Sequence, residues 1–228
     1  MTGTSSPRPR DARRVVLFDF DGVIVRGDSF ARFLLAHYRR SWWRIVLLLP
    51  AAPLFAAAAL TRGGRRRVLR AVVNWALLGV GAARYRELAQ TFGRALARDT
   101  RNVVRAACAA LGAHRHAGDR VVVVTGCEET LARAILDELG FGDVELLGSQ
   151  LAPGRLGMRI ALHNIRFRKA HRLARHGIRP PWDLVYSDSH HDLPILAAAR
   201  SGVLVNPDRR TLARVSARLG KRLSVIEW

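Results

Sequence analysis

From residue 120 onward, short apolar runs alternate with stretches of helical pattern, and this alternation narrows the possible folds more than any other feature. Arg120-Val121-Val122-Val123-Val124 precedes a helical pattern over 128–139, which leads through Val144-Glu145-Leu146-Leu147 to another over 167–176. Asp183-Leu184-Val185-Tyr186, a helix over 191–200, Gly202-Val203-Leu204-Val205 and a helix over 208–219 complete the series. Strands separated by helices build a parallel sheet covered on both faces, the doubly wound α/β class. The piece at 149–163, with Pro153-Gly154 between short apolar segments, reads as a local β excursion. One further strand begins far upstream, at Val15. The residues between have little strand character, so the expected architecture is a core of 15–27 and 113–228 interrupted by a helical cap over 28–112.

The upstream strand, Val15-Val16-Leu17-Phe18, runs into Asp19-Phe20-Asp21-Gly22. Strand alternation aims Asp19 and Asp21 at one side and Phe20 at the other. At the carboxyl end of a strand, where open α/β sheets place their sites, two such acids can share a divalent cation and a proton. One then serves as nucleophile and the other as its acid/base partner. The competing reading is an Asp-Gly turn closing a hairpin, and Val23-Ile24-Val25 is too short to decide between them.

Three later positions speak to the same chemistry. The strand at 121–124 ends in Thr125-Gly126, a hydroxyl that donates and a glycine that permits close backbone approach, as a phosphate oxygen requires. Lys169 is one of two lysines in a chain with 36 arginines, which suggests a place needing a compact point charge; the alternative is a solvated cation on a helix face. The strand at 183–186 leads to Asp188 and, four residues on, Asp192. In the first turn of the next helix Asp192 is a favourable acid on structural grounds alone, or it anchors a metal-bound water or Lys169.

Composition bounds the rest. At 228 residues and 49% hydrophobic the chain has ample material for a core, and disorder is excluded. Cys108 and Cys127 make no disulfide framework and no signal peptide is apparent, so a reducing cytosol is the expected compartment. Residues 1–14 read as a flexible basic tail. The formal charge of +20 attracts nucleic acid, anionic lipid or phosphorylated substrates, and between Arg26 and Arg105 sixteen arginines face only Asp28, Glu87 and Asp99. Those arginines lack an interleaved aromatic stacking pattern, so no specific nucleic-acid partner is expected.

Residues 45–61 carry no charge at all. Seventeen residues of helix span about 25 Å against a hydrocarbon core of about 30 Å, and Pro50 and Pro53 interrupt them. Strands on both sides of the cap must join one sheet, which demands an even number of membrane crossings, and the arginines at 62–70 oppose a second one. The expectation is therefore a hairpin lying in one leaflet, with Trp42, Trp43 and Trp75 at headgroup depth and flanking arginines on anionic lipid. The competing reading makes 45–61 the buried core of the cap.

Taken together, Asp19-Phe20-Asp21-Gly22, Thr125, Lys169, Asp188 and Asp192, in this order and on these elements, resemble the haloacid dehalogenase superfamily of phosphohydrolases. The helical insertion after the first motif is similar to the phosphoserine phosphatase subfamily. The Trp-rich apolar cap, Val124-Thr125-Gly126 and Tyr186-Ser187-Asp188-Ser189 further resemble the bacterial phosphatidylglycerophosphatase C family. The resemblance implies a nucleophile at Asp19, an acid/base at Asp21, and phosphate binding by Thr125, Gly126 and Lys169. It also implies Mg²⁺ on the Asp19 carboxylate, the Asp21 main-chain carbonyl and Asp188, with Asp192 orienting Lys169. Asp28 stands where phosphoserine phosphatases read their substrate, although a helix cap explains it as well. Cys127 replaces a common serine, which puts one hydrogen bond in doubt, while His190 and His191, as neighbours pointing apart, are not expected to ligate zinc. The expected function is hydrolysis of a lipid phosphate, phosphatidylglycerophosphate, at the cytoplasmic face of the inner membrane. The alternative is a soluble phosphatase acting on a small metabolite such as phosphoserine.

Overall fold

In the computed structural model, which describes residues 13–61 and 63–228, the strand β1 (Val15–Phe18) lies inside a seven-stranded sheet. The others are β2 (Arg120–Glu128), β3 (Glu145–Gly154), β4 (Gly157–Leu162), β5 (Trp182–Ser187), β6 (Ala199–Val205) and β7 (Leu223–Ile226). Their order is β4-β3-β2-β1-β5-β6-β7, parallel throughout except where β4 folds back on β3. The basic tail expected at 1–14 falls, apart from its last two residues, outside the described residues. No hairpin follows β1: Gly22, with φ of +80°, turns the chain so that its N–H donates to Val25 O at 2.7 Å.

Six helices lie between β1 and β2: α1 (Ser29–Arg40), α2 (Trp43–Leu48), α3 (Ala52–Leu60), α4 (Gly64–Ala76), α5 (Ala82–Arg98) and α6 (Arg105–His116). The chain leaves and returns at one place, since Arg26 N–H donates to Asn102 O at 2.8 Å and Val104 N–H to Ile24 O at 3.0 Å. The expected boundary at 112 falls inside α6, which instead packs on the sheet: Leu111 is fully buried and His114 sits edge-on to Phe18 at 6.0 Å. Helix α5 buries Tyr85, Ala89, Gly93 and Leu96, a stripe at the three-to-four-residue spacing that a helix needs to face a core.

The apolar segment behaves differently. Pro50 and Pro53 sit in the first turns of a 3₁₀ turn (Leu49–Ala51) and of α3, where the missing N–H costs nothing, so Trp43–Leu60 runs on as one helical rod of 18 residues. By length and composition this rod is apolar enough to cross a membrane, and none of its residues is buried. The cap core is made by others, among them Phe33, Tyr38, Val73, Leu77 and Tyr85, which corrects the reading of 45–61 as that core. Trp75 is not an exposed anchor either. Half-buried, it donates from Nε1 to Arg44 O at 2.9 Å, while the Arg44 guanidinium donates to Trp75 O (2.8 Å) and Leu78 O (2.7 Å). Trp42 and Trp43 do stand exposed.

Four helices complete the core: α7 (Glu129–Glu138), α8 (Phe167–Arg175), α9 (Leu193–Ala197) and α10 (Arg209–Leu219). Alternation along the strands divides the apolar residues between the two faces. Leu17, Val122, Val124 and Val185 meet Leu173 of α8, Leu196 of α9 and Val215 of α10. Val16, Phe18, Val121 and Val123 face α6, α7 and the cap. The helix expected over 191–200 is shorter, a 3₁₀ turn at His190–Asp192 followed by α9, because Ala199 already belongs to β6. Strand β7 is an addition to the expected elements: Leu223-Ser224-Val225-Ile226 is an edge with no fully buried residue, so its pattern is weak.

Candidate active site

Strand β1 and its two neighbours deliver the site. Asp19 follows the end of β1 and donates its N–H to Tyr186 O of β5 at 2.9 Å, which pins the two strand ends together. Asp19 Oδ1 accepts from the Phe20 N–H at 2.8 Å and pairs with Lys169 Nζ at 2.9 Å. Lys169, in α8 and only 3% exposed, also pairs with Asp192 Oδ2 at 2.7 Å, and Ser187 Oγ donates to that same oxygen at 3.0 Å. Lys169 is therefore no surface cation, and Asp192 is more than a first-turn acid.

Asp21 Oδ1 accepts from the N–H of Ser29 at 3.0 Å, and Ser29 Oγ donates to Cys127 Sγ at 3.1 Å. The thiol of Cys127 thus accepts a hydrogen bond from the residue that holds Asp21. Thr125, fully buried, accepts the Cys127 N–H on Oγ1 at 2.9 Å, so its own hydroxyl proton remains to be donated. Gly126 holds the turn through its carbonyl, which accepts from Ser149 Oγ at 2.7 Å. Asp188 approaches from the end of β5. A Cβ built on Gly22 would lie 2.0 Å from Asp188 Oδ2, so only glycine admits that carboxylate, and its φ of +80° gives the same answer.

All seven expected site residues, Asp19, Asp21, Thr125, Gly126, Lys169, Asp188 and Asp192, line one cavity of about 460 Å³. Its upper walls are apolar and include Phe30, Leu34, Leu69, Ile160 and Leu162. Asp28 also reaches it, while its Oδ1 caps α1 by accepting the Ala31 N–H at 2.8 Å. A larger cavity of about 670 Å³ lies behind α7 and holds none of these acids. His190 Nδ1 bonds Thr211 Oγ1 at 3.2 Å, and His191 lines the cavity.

Electrostatics decides what this arrangement can do. Burial, then the nearby Asp192, pushes Asp19 well above the ordinary carboxylate range, with the Lys169 ammonium opposing. Burial pushes Asp21 up to about 6, against the downward pull of Ser29. Asp188 rises to about 6, again through burial first and Asp192 second. For Lys169 burial works against the charge, yet Asp19 and Asp192 outweigh it and the amine is held cationic. Four carboxylates around one ammonium leave a surplus of negative charge that a hard cation relieves. Among the described residues no cluster of three or more His, Cys, Asp or Glu side chains is poised as a complete metal cage. Asp19, Asp21 and Asp188 give this cavity an oxygen-rich lining whose chemistry fits a hard divalent cation such as Mg²⁺.

Several contributors go beyond the expected set. Ser29 positions Asp21. Glu128 caps α7 by accepting the Leu131 N–H at 3.0 Å and also accepts from Tyr85 Oη of the cap at 2.6 Å. Asn164 bonds Thr125 O at 3.2 Å and Leu147 O at 2.9 Å through Nδ2. The capping of α7 by an acid directly before it is the one local signal among these; the other partners lie far apart in sequence.

Comparison with known proteins agrees with this geometry. The family of haloacid dehalogenase-like hydrolases matches residues 16–197. Phosphoserine phosphatase SerB1 of Mycobacterium tuberculosis (strain H37Rv) is 28% identical, covering 93% of this chain and 71% of the relative. A solved Bordetella pertussis protein of unknown function superposes with a TM-score of 0.66 at 19% identity, covering 92% of this chain and 97% of the other. A phosphoserine phosphohydrolase-like protein from Francisella tularensis does so with a TM-score of 0.59 at 12% identity, covering 92% and 94%. The chain belongs to the haloacid dehalogenase-like hydrolases and is a phosphatase with phosphoserine phosphatase-like relatives.

Proposed function

We propose that the chain is a Mg²⁺-dependent phosphomonoesterase that works through an aspartyl-phosphate, on a small phosphate ester of the phosphoserine kind. The observation that carries the chemistry is the gathering of Asp19, Asp21, Thr125, Lys169 and Asp188 on one cavity. The substrate class draws its support from the relative named as a phosphoserine phosphatase.

Asp19 Oδ1 is held by the Phe20 N–H and Lys169, which leaves Oδ2 to attack phosphorus as the bond to the leaving alcohol breaks. Asp21, at about 6, is protonated often enough near neutrality to give its proton to that alkoxide. It then takes a proton from the water that cleaves the aspartyl-phosphate and restores Asp19. The Thr125 hydroxyl and the Lys169 ammonium stabilise the transferring phosphoryl oxygens. Bound Mg²⁺, held by Asp19, the Asp21 carbonyl and Asp188, supplies further positive charge to those oxygens.

A second reading, a lipid phosphate such as phosphatidylglycerophosphate taken from an anionic membrane surface, is favoured by the exposed Trp43–Leu60 rod. Leu69 of α4, the helix next after the rod, lines the cavity. On this reading the protein sits at the cytoplasmic face of the inner membrane.

One assay tests both: initial rates on O-phosphoserine and on phosphatidylglycerophosphate in mixed micelles with Mg²⁺, beside flotation with phosphatidylglycerol vesicles at physiological salt. A preference for phosphoserine without flotation supports the first reading, and the reverse pair supports the second. Full activity in excess chelator refutes the Mg²⁺ dependence.

A further inference from the structure

Arg166, three residues before Lys169, sits at φ +55° and ψ −130°, a conformation that glycine adopts readily and a long side chain does not. A non-glycine residue held there is strained, and such strain persists where surrounding structure enforces it, often at ligand sites. Nor does Arg166 suit its place in the chain. It opens α8 as the N-terminal cap, a role that favours short polar side chains, and its side chain makes no capping hydrogen bond. Its main chain matters nonetheless, since Arg166 O accepts the Lys169 N–H at 3.1 Å and so begins the turn that delivers Lys169. Glycine would serve that backbone better.

The side chain therefore needs its own explanation, and its location supplies one. Arg166 is exposed, lines the catalytic cavity, and is the only arginine among the described residues that does. It also lines an adjoining shallow hollow of about 500 Å³ with Phe167 and His191. Lys169, the other permanent cation of the cavity, is committed to Asp19 and Asp192. An ester whose phosphoryl group sat between Asp19 and Thr125 would carry its alcohol within the same cavity that Arg166 lines, where a planar guanidinium can take a carboxylate or phosphodiester in two parallel hydrogen bonds.

We propose that Arg166 is a specificity-determining residue that binds a second anionic group carried by the leaving alcohol of the substrate. This rests on the proposed phosphomonoesterase reaction and narrows it. A carboxylate, as in a phosphorylated amino acid, and a phosphodiester, as in a phosphorylated lipid headgroup, present the same chemistry here.

The test uses the full chain with Mg²⁺ and two substrate pairs that differ in the second anion: O-phosphoserine against O-phosphoethanolamine, and phosphatidylglycerophosphate against phosphatidic acid. Arg166→Gly, which relieves the backbone, and Arg166→Gln, which keeps length without charge, are compared with the wild type. The expected result is that discrimination within one pair falls at least tenfold in both variants, carried by KM rather than kcat, while the Tm of Arg166→Gly rises. The pair affected identifies which anion is read. Discrimination unchanged within twofold in both pairs, with or without a higher Tm, overturns the proposal. Absence of wild-type activity on all four esters and on p-nitrophenyl phosphate overturns the reaction beneath it, and that outcome is distinct from the former.

Discussion

Lys169, at the floor of the cavity, is 3% exposed and tied to two carboxylates, whereas Leu54, in the cap rod, is 70% exposed in a helix with no buried residue. At the floor Asp19, Lys169 and Asp192 are held to one another from three different parts of the chain, in an arrangement that costs stability, because acids are crowded together away from water. Along the rod no apolar side chain is fully buried, and most stand exposed. Folding alone rewards neither choice: the floor suits the phosphorylated substrate of a phosphatase, and the rod is held by little more than its own helix. Placing charge where it destabilises and leucine where it stabilises nothing are two forms of one signature, local conflict with the fold.

The sharpest way to break the comparison is at the nucleophile. Asp19→Asn is expected to lower turnover of any phosphomonoester by on the order of 10³-fold or more, since the reaction runs through that oxygen. Circular dichroism of the same variant should be native-like, and substantial residual turnover would remove Asp19 from its role.

Leucines next compare the two regions directly. Leu17→Ala, in the fully buried heart of β1, should cost about 2–5 kcal/mol in denaturant unfolding. The double variant Leu47→Gln and Leu54→Gln, at side chains 58% and 70% exposed, should stay within about 0.5 kcal/mol of the wild type. A large loss from the double variant would mean that the rod packs in solution after all.

The smallest effect concerns pH. With Asp188 at about 6 in the folded protein against 3.8 ordinarily, the folded state binds more protons between those values, so this residue's contribution to stability falls as pH rises through the window. In metal-free protein Asp188→Asn should therefore melt above the wild type at pH 7.5, and the gap should close as pH is lowered toward 5. A gap that widens on acidification would show that Asp188 is stabilised as an anion by something else.

Much of the site is legible in the sequence, because its principal members sit on or just past apolar strands that announce themselves: Asp19 after Val15–Phe18, Thr125 after four valines within β2, Asp188 after β5. Lys169 stands out through contrast with a chain written in arginine. Ser29, Asn164 and the pairing of Tyr85 with Glu128 are not legible, since each acts through a hydrogen bond between positions that no local pattern relates. The cap is harder to read in detail for a related reason. Tryptophan and charge-free runs report the wish to leave water but not the partner, so Trp75 turns inward to Arg44 while Trp42 stays outside. Edge strand β7 lacks the continuous apolar run that marks a strand covered on both faces.

The cap departs and returns where Arg26 meets Asn102 and Ile24 meets Val104, two crossings laced side by side. Closing a loop whose ends already touch grows only slowly more costly with its length, by about 0.6 kcal/mol per doubling. The length of the insertion is thus free to vary between those crossings, whereas residues that reach the core and the site, such as Ser29 and Tyr85, are not free to change. The clasp fixes where the insertion is anchored, while the site below keeps its hold on both stretches of the chain through Ser29 and Asp21.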